Sequence, residues 1–500
     1  MTKKNKLIHT PEGVRDIYNG ECRRKLAVQE KILHTLYLYG YEHIQTPSFE
    51  YADIFNEDRG SVGAQEMFKF FDRDNNMLVL RPDMTPAVAR CVAKYFMDDD
   101  MPLRLCYLER TFKNNTSYQG YLKERAESGA ELIGDDSPDA DAEMIAMVID
   151  CLKTAGLKEF QVELGEVAFY RSLLLQSGLD EDAQARLNDL IENKNRFGVE
   201  EFLKNQNMEE SLKEAFLKLP ELFGGISQIK KAKTLTHNPQ ALAAIERLER
   251  VHTLLEEYHM ADYVSYDLGM LSRYQYYTGI IFKAYTYGTG DYIVTGGRYN
   301  KLLVQFGKDT PAVGFAIVVD QLMAALSRQQ IHILVQLVNT VILYEPSARQ
   351  SAVRLSRFFR SEGTPVQAMV MEEGKSLEDY KEMAKKRGLR TILCLKDAGN
   401  TVTAFDMLTG NVDETPVSAY GVRGSYRIPG KHMDIKEEIM RYLTIALAKG
   451  RLALKAMDMF EQIGISCEEM KDKNSRKLIF VNEDLGIRFF LARQMTFLLM

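Results

Sequence analysis

Apolar and polar residues first repeat with a helical period and then with the shorter period of strands. The apolar positions of residues 21–39 recur three and four residues apart, which predicts an amphipathic helix that stops at Gly40. Its apolar stripe consists of Leu26, Leu33, Leu36 and Tyr37. The next stretches, YEHIQTPSFEY and MFKFFDRDNNMLVLRPD, are rich in strand-forming residues, and Asn75-Asn76 predicts a hairpin turn.

The pattern continues as a mixture of strands and helices up to residue 327. A helix from Asp139 to Ala155 is marked by Ser137 as its cap, Pro138 in its first position and Gly156 after its end. The other predicted elements are two strands within 103–133, a polar helical insertion over about 168–258, strands over 280–299 that end in a Gly296-Gly297 turn, and a helix around 313–326. This order predicts an antiparallel sheet flanked by helices, an α+β domain over residues 1–327.

Residues 330–415 have a different pattern. Three apolar segments, HILVQLVNTVILY, PVQAMVM and TILCLKD, alternate with two helical ones, SARQSAVRLSRFFRSEG and residues 376–386. Such alternation predicts a small α/β domain with a mainly parallel sheet. Residues 416–439 are rich in Gly, Pro and charge and are predicted to be a linker, and residues 440–500 form a separate strand-and-helix segment.

Composition narrows the class of function. The net charge of −6 over 500 residues gives no electrostatic sign of a nucleic-acid binder. No apolar run reaches the roughly 18 residues that span a bilayer, and the N-terminus lacks the apolar core of a secretory signal. The six cysteines stand singly and the eight histidines never fall at metal-ligand spacing. We therefore expect a reduced, cytoplasmic protein without a metal site, a cofactor or a membrane anchor.

Four segments of the first domain carry residues suited to chemistry: LRPDMTP (80–86), RTFKNNTSYQG with ESGAELIGDD (110–136), RYQYYTGIIF (273–282), and TGGRYNKL with PAVGFAI (295–317). Each of them alone fits a structural role. Arg81 could form an ion pair at a strand end, Glu131 could be a buried structural carboxylate, and Tyr276 and Tyr277 could be core aromatics. The Gly-Gly-Arg sequence could be an ordinary turn.

The joint order of these segments resembles the core of class II aminoacyl-tRNA synthetases, and in particular histidyl-tRNA synthetase, over residues 8–325. Carboxylates and a hydroxyl can hold an α-ammonium group or an imidazole N–H, and tyrosines supply flat walls with polar tips. The resemblance therefore implies a pocket for an amino acid with an imidazole side chain. The candidate histidine-binding residues are Asp83, Thr85, Lys113, Glu127, Glu131, Tyr276 and Tyr277.

The positions that the synthetase family uses for ATP are altered. Lys113 stands where the family has a phosphate-binding Arg, and Lys lacks the planar bidentate fork. Asn115 replaces a Glu, Ser272 replaces an Arg by our alignment, and Gln321 replaces an Arg after Asp320. Adenylate formation depends on neutralising and positioning phosphates, so the resemblance implies that aminoacylation is lost.

Three longer strings, KNNTSYQGYLKE, AELIGDDSPDADAEMIA and YYTGIIFKAY, are similar to the ATP phosphoribosyltransferase regulatory subunits, and this resemblance covers roughly residues 8–420. It implies an anticodon-binding-like domain over 330–415 and a hetero-oligomer with the short-form catalytic subunit. It also implies self-association through the core, and feedback inhibition by L-histidine at the first step of histidine biosynthesis. The alternatives are an active histidyl-tRNA synthetase and a bifunctional regulatory–catalytic fusion.

Residues 440–493 resemble the N-terminus of that short catalytic subunit. The resemblance implies that Lys449 and Arg451 lie in a phosphate-binding turn. The family's loop for phosphoribosyl pyrophosphate has no counterpart in residues 440–500, so we expect a truncated α/β fragment whose phosphate-binding turn is idle. The tail after Arg493 departs from the family, and we expect a one-base deletion there relative to an intact gene.

Overall fold

The computed structural model describes residues 8–55, 62–115, 122–271, 276–335, 338–396 and 400–420, together with the backbone of three strands beyond residue 440. The chain forms two compact units, Met1–Val335 and Gln336–Met500. Within the described residues, no helix is both long and apolar enough to cross a membrane.

The first helix, α1, spans Asn19–Leu38 and ends before Gly40, whose φ of +82° favours glycine. Its buried stripe includes Val28, Ile32 and Leu36. The predicted stripe was wrong at two positions, because Leu26 is 59% exposed and Tyr37 is 72% exposed. The helix therefore carries two apolar stripes, one buried and one exposed. The period of the apolar residues alone does not tell which stripe faces the core.

A small antiparallel sheet follows, with its strands in the order β2-β4-β3. They are β2 (Phe49–Tyr51), β3 (Lys69–Phe71) and β4 (Met77–Leu80). The predicted hairpin turn lies between β3 and β4: Asn75 adopts a φ of +60°, and Asp72 Oδ1 accepts the backbone N–H of Asn76 at 2.8 Å. The short helix α2 (Thr85–Tyr95) comes directly after this sheet.

The large sheet of the first unit has nine strands in the order β1-β5-β6-β12-β11-β10-β7-β9-β8. Only the β1–β5 and β7–β9 pairs are parallel, which agrees with the predicted antiparallel α+β architecture. Its strands are β1 (Glu42–His43), β5 (Leu103–Phe112), β6 (Glu124–Ile133), β7 (Gln161–Glu166), β8 (Phe223–Gly224), β9 (Val264–Asp267), β10 (Ile280–Tyr285), β11 (Val294–Arg298) and β12 (Ala312–Val318).

One face of this sheet packs against α1, the helical insertion and α3, which spans Pro138–Ala155. The predicted start and end of α3 are confirmed: Ser137 accepts the N–H of Ala140, and Gly156 has a φ of +108°. The insertion contains α4 (Val167–Ser177), α5 (Glu181–Glu192), α6 (Arg196–Lys204), α7 (Glu210–Lys218), α8 (Ser227–Lys233) and α9 (Pro239–Glu257).

Two predictions for the end of this unit were wrong. Gly296 and Gly297 lie within strand β11 rather than in a turn, and residues 312–318 form β12 before helix α10 begins at Val319 and runs to Arg328. A continuous apolar run does not distinguish a strand from a buried helix. Residues Val313, Phe315 and Ile317 point to the core face, and the smaller residues between them point to the other face.

The second unit contains a five-stranded sheet in the order β14-β13-β15-β16-β17, with the first three strands parallel. Its helices, α11 (Arg349–Ser361) and α12 (Leu377–Lys386), pack on opposite faces, against Ile342 and against Val341 and Leu343 respectively. The strands are β13 (Thr340–Tyr344), β14 (Val366–Val370), β15 (Thr391–Leu395), β16 (Thr401–Asp406) and β17 (Val412–Pro416).

Two sequence predictions for this region need correction. The strand predicted from residue 332 starts only at Thr340, since residues 332–335 lie outside any strand and Leu334 is 94% exposed. Residues 416–420 do not belong to the predicted linker, because β17 reaches Pro416 and a 3-10 turn occupies Val417–Tyr420.

Three strands are described beyond residue 440: β18 (Leu443–Ala448), β19 (Ile479–Asn482) and β20 (Ile487–Ala492). β20 lies in the middle, parallel to β18 and antiparallel to β19. The predicted helix between β18 and β19, and Lys449 and Arg451, lie outside the described residues.

Candidate functional site

The candidate site lies on the face of the large sheet opposite α3, and β6 and β12 form its floor. Side chains alternate between the two faces of a strand, so Arg125, Glu127 and Glu131 of β6 share one face. Across the strand pair, Gly314 of β12 lies opposite Glu131, and Val318 lies opposite Glu127. A cavity that opens to solvent lies above this floor.

Glycine at position 314 makes room for a carboxylate. A Cβ atom there would lie 1.6 Å from Glu131 Oε2. Gly297 of the neighbouring strand is also restricted, because its Cβ would lie 2.7 Å from the backbone oxygen of Ile280 and 2.8 Å from the ring of Tyr277. The glycines in TGGRY and PAVGF therefore allow Glu131 and Tyr277 to approach the sheet backbone, and neither glycine forms a turn.

Glu131 is held by two hydroxyl groups. Thr85 donates to Oε1 at 3.0 Å, and Tyr299 donates to Oε2 at 2.5 Å. The residue is 1% exposed, and this burial raises the pKa of its carboxyl group to about 8 against the opposing effect of the two hydrogen bonds. Glu131 thus lies immediately beneath Thr85, Tyr299 and Gly314, which line the cavity.

Asp83 and Glu127 form the second acidic group of the site. Tyr276 donates its hydroxyl proton to Asp83 Oδ2 at 3.0 Å. Burial raises the pKa of both carboxyl groups, and the charge of Lys113 opposes the shift in each. The site therefore combines a lysine with two nearby carboxylates and a third, deeper carboxyl group.

Aromatic rings close one side of the cavity. Tyr276 and Tyr277 have ring centroids 4.8 Å apart, and Tyr276 meets Tyr299 edge to face at 5.9 Å. Six of the seven predicted residues line the cavity, namely Asp83, Thr85, Lys113, Glu127, Tyr276 and Tyr277, and the seventh, Glu131, is hydrogen-bonded to its lining.

Sequence reasoning missed Tyr299 and Arg125 as residues of the site, although both line the cavity. Tyr299 directly follows the Gly-Gly-Arg sequence, and that order was the available signal. Arg125 could have been found from the two-residue period of β6, since it precedes Glu127 by two positions.

Arg81 has a structural role, as an ion pair at a strand end would predict. Its guanidinium group is fully buried, donates to the backbone oxygens of Arg110 and Thr46, and pairs with Glu109 Oε2 at 2.5 Å. Because Glu109 rather than Asp83 is the partner, Asp83 is left to the cavity.

The positions that correspond to the ATP-binding residues of the synthetases are partly engaged in structural contacts. Asp320, at the start of α10, pairs with Lys25 of α1 at 2.6 Å and accepts the backbone N–H of Ala126 in β6 at 2.9 Å. Gln321 follows it in the first turn of α10, and Asn115 is the last described residue after β5. Ser272 lies outside the described residues.

No group of three His, Cys, Asp or Glu side chains is placed to hold a metal ion within the part of the chain that the structure describes. The chemistry of the candidate site therefore comes from its carboxyl groups, its two cations and its tyrosines. Such a set can bind a small zwitterion through hydrogen bonds and charge.

Comparison with known proteins gives consistent results. The family described as histidyl-tRNA synthetase matches residues 13–322. An ATP phosphoribosyltransferase regulatory subunit from Acetivibrio thermocellus is 35% identical over 411 residues, which cover 82% of this chain and 98% of that protein. One from Clostridium acetobutylicum is 40% identical over 321 residues, which cover 64% of this chain and 79% of that protein.

Solved structures show the same relationship. A crystal structure from Bacillus halodurans, described as an ATP phosphoribosyltransferase regulatory subunit/histidyl-tRNA synthetase, has a TM-score of 0.70 and 30% identity, and covers 78% of this chain and 99% of its own. Histidyl-tRNA synthetase from Nostoc has a TM-score of 0.68 at 18% identity, with coverage of 83% of this chain and 98% of its own, so that likeness concerns the fold alone.

Proposed function

Because this chain belongs to the ATP phosphoribosyltransferase regulatory subunits, which have the class II histidyl-tRNA synthetase-like α+β fold, we propose that its cavity binds L-histidine as a feedback effector. The chain is a regulatory subunit in histidine biosynthesis and not the catalytic one. The proposal concerns how regulation works: histidine occupies the cavity, and this lowers the activity of a short-form catalytic subunit in the same hetero-oligomer.

One arrangement carries this proposal: the amino-acid side of the site is complete and the nucleotide side is not. Glu131 with its two hydroxyl partners and the Asp83–Tyr276 pair are suited to the N–H groups of an amino acid with an imidazole ring. By contrast, Lys113, Asn115 and Gln321 stand where the synthetases have Arg, Glu and Arg, respectively. A ligand can then be bound without being activated.

The test reconstitutes the complex. The purified full-length chain is mixed with a short-form catalytic subunit, and formation of phosphoribosyl-ATP is followed by absorbance with and without L-histidine. We expect activation by the chain and inhibition by histidine. Glu131→Gln should retain activation but lose most of the inhibition, because the amide replaces one carboxyl oxygen with an NH2 donor and so changes the hydrogen-bond pattern beneath the cavity.

The matched control is Glu382→Gln, which changes an exposed glutamate that pairs with Lys386 in the second unit. It should behave as the unmodified chain does. The proposal fails if the chain leaves the rate unchanged, or if Glu131→Gln is inhibited by histidine as strongly as the control. Histidine-dependent exchange between ATP and pyrophosphate by the chain alone would instead support the synthetase alternative.

We further propose that the chain self-associates through the small sheet of the first unit. Phe49, Tyr51 and Phe70 share one face of this sheet, and they are 52%, 58% and 38% exposed. An aromatic face of this kind favours burial against a partner, and a second copy supplies an identical face. Light scattering should give a dimer that Tyr51→Asp dissociates and Leu408→Asp, at an exposed site of the second unit, does not. A monomer at micromolar concentration would refute this surface.

For residues 440–500, the proposal is that they do not transfer phosphoribosyl groups. The support is the resemblance of this segment to only the first part of a catalytic subunit. We expect no phosphoribosyl-ATP from the chain without its partner, and a measurable rate would favour the bifunctional alternative. We also propose that the chain acts in the cytoplasm, because the five cysteines among the described residues are all free thiols, as is usual in a reducing compartment.

A further inference from the structure

Strand β6 presents an ordered row of charges to the cavity. Its residues on that face are Arg125, Glu127, Gly129 and Glu131, so a cation is followed by two carboxyl groups. Successive residues on one face lie about 7 Å apart along a strand. The side chains of Arg125 and Glu127 are therefore close enough to bind neighbouring groups of one small ligand, whereas Glu131 is at the far end of the row.

Arg125 is buried and fixed in orientation. It is 9% exposed, and its Nε donates to the backbone oxygen of Leu122 at 3.2 Å. Burial raises the pKa of the neighbouring Glu127 carboxyl group, and the charge of Arg125 opposes this rise. A guanidinium group is planar, and a planar pair of its N–H groups matches a carboxylate.

The charges of the site call for a zwitterion. Asp83 and Glu127 can hold an ammonium group, and the charge of Lys113 acts on both of these carboxyl groups. The α-carboxylate of an amino acid is attached to the same carbon as the ammonium group. It therefore lies close to the ammonium group, and Arg125, which lines the cavity, is the neighbour of Glu127 on the same face of β6.

We propose that Arg125 is a specificity-determining residue that binds the α-carboxylate of the free amino acid. This inference rests on the proposed binding of histidine to the cavity. It adds that the cavity distinguishes the free acid from compounds with the same imidazole and ammonium groups but no carboxylate. The regulatory subunit then binds the free amino acid more tightly than the corresponding amino alcohol.

The test is a cycle of protein and ligand changes. Isothermal titration calorimetry with the full-length chain measures L-histidine and L-histidinol, in which an alcohol replaces the carboxylate. The unmodified chain should bind histidine at least about tenfold more tightly, the factor for one charge-assisted hydrogen bond. In Arg125→Gln this preference should fall below about threefold, chiefly through weaker histidine binding, and Arg125→Lys should restore part of it.

Histidinol binding within threefold of that of the unmodified chain serves as the control for an intact cavity. Arg387→Gln, which removes an exposed arginine of the second unit, should leave both affinities unchanged. Equal weakening of both ligands in Arg125→Gln would show that Arg125 only supports Glu127, and would overturn the inference.

The two proposals fail in different ways. If the unmodified chain binds neither ligand, the proposed function falls and the inference falls with it. If the unmodified chain binds histidine with no preference over histidinol, histidine sensing stands and only the role of Arg125 is refuted. This second comparison needs no variant, so it can refute the role of Arg125 even if the substitutions at position 125 prevent folding.

Discussion

Substitution of Gly314 by Ala gives a direct test of how the floor of the cavity is built. The new Cβ would lie 1.6 Å from Glu131 Oε2, whereas real Cβ atoms essentially never come closer than 3.0 Å to another heavy atom. The Glu131 carboxyl group would therefore have to move by about 1.4 Å, the difference between these distances. Such a shift breaks its hydrogen bonds with Tyr299 and Thr85.

The size of the effect follows from these two bonds. A buried polar group that loses its partner costs about 1–3 kcal/mol, so Gly314→Ala should lower the free energy of unfolding by about 2–6 kcal/mol. Urea titrations followed by circular dichroism measure this quantity, and calorimetry should show that histidine no longer binds. Gly290→Ala is the control, since no atom lies within 4 Å of that added Cβ, and it should change stability by less than about 0.5 kcal/mol.

A double variant separates the steric effect from other causes. In Gly314→Ala/Glu131→Ala the overlapping carboxylate is absent, so the combined loss of stability should be smaller than the sum of the two single losses by at least about 1 kcal/mol. Additive losses would refute the argument, and so would a Gly314→Ala protein as stable as Gly290→Ala.

Three further outcomes are expected. Because the pKa of Glu131 is raised to about 8 from 4.5, its contribution to stability is full below about pH 4.5 and is lost as the pH rises towards 8. The difference in the free energy of unfolding between the unmodified chain and Glu131→Gln should fall by up to about 1.4 kcal/mol per pH unit in this window. A difference that does not change with pH would contradict the raised pKa. Asp141→Asn removes the buried carboxylate that lies 2.8 Å from the buried Arg298 and leaves this arginine the more exposed Asp136 at 3.2 Å. This change should cost about 3–5 kcal/mol, compared with less than about 0.5 for the exposed Glu382→Gln. Tyr299→Phe removes the donor to Glu131 Oε2 and should weaken histidine binding in calorimetry about tenfold, while an unchanged affinity would exclude Tyr299 from the site.

The sequence was informative where local chemistry determines local structure. Ser137, Pro138 and Gly156 predict both ends of α3, and Asn75-Asn76 predicts the hairpin turn, because caps and turns depend on a few neighbouring residues. The same holds for the alternation of strands and helices in the second unit.

The sequence was less informative where distant parts of the chain meet. Gly296-Gly297 suggested a turn, because glycine is common in turns, whereas Gly297 here permits the approach of Tyr277. Leu26 is as apolar as the residues that α1 buries, and only the position of α1 on the sheet determines that it stays exposed. The role of Tyr299 depends on its hydrogen bond to Glu131, a distant residue of the chain, and the local sequence does not indicate that contact.

The contacts that complete the cavity are separated by long stretches of chain. The Tyr276–Asp83 hydrogen bond joins residues 193 positions apart, and the Tyr299–Glu131 bond joins residues 168 positions apart. Contacts of such high sequence separation are slow to form during folding, since closing a long loop of chain costs entropy before the contact stabilises it. A newly made chain therefore has no complete cavity until these distant segments have come together. Once it is folded, a ligand present at a hundred times its dissociation constant adds about 2.7 kcal/mol of stability, so occupancy of the cavity also protects the chain from unfolding.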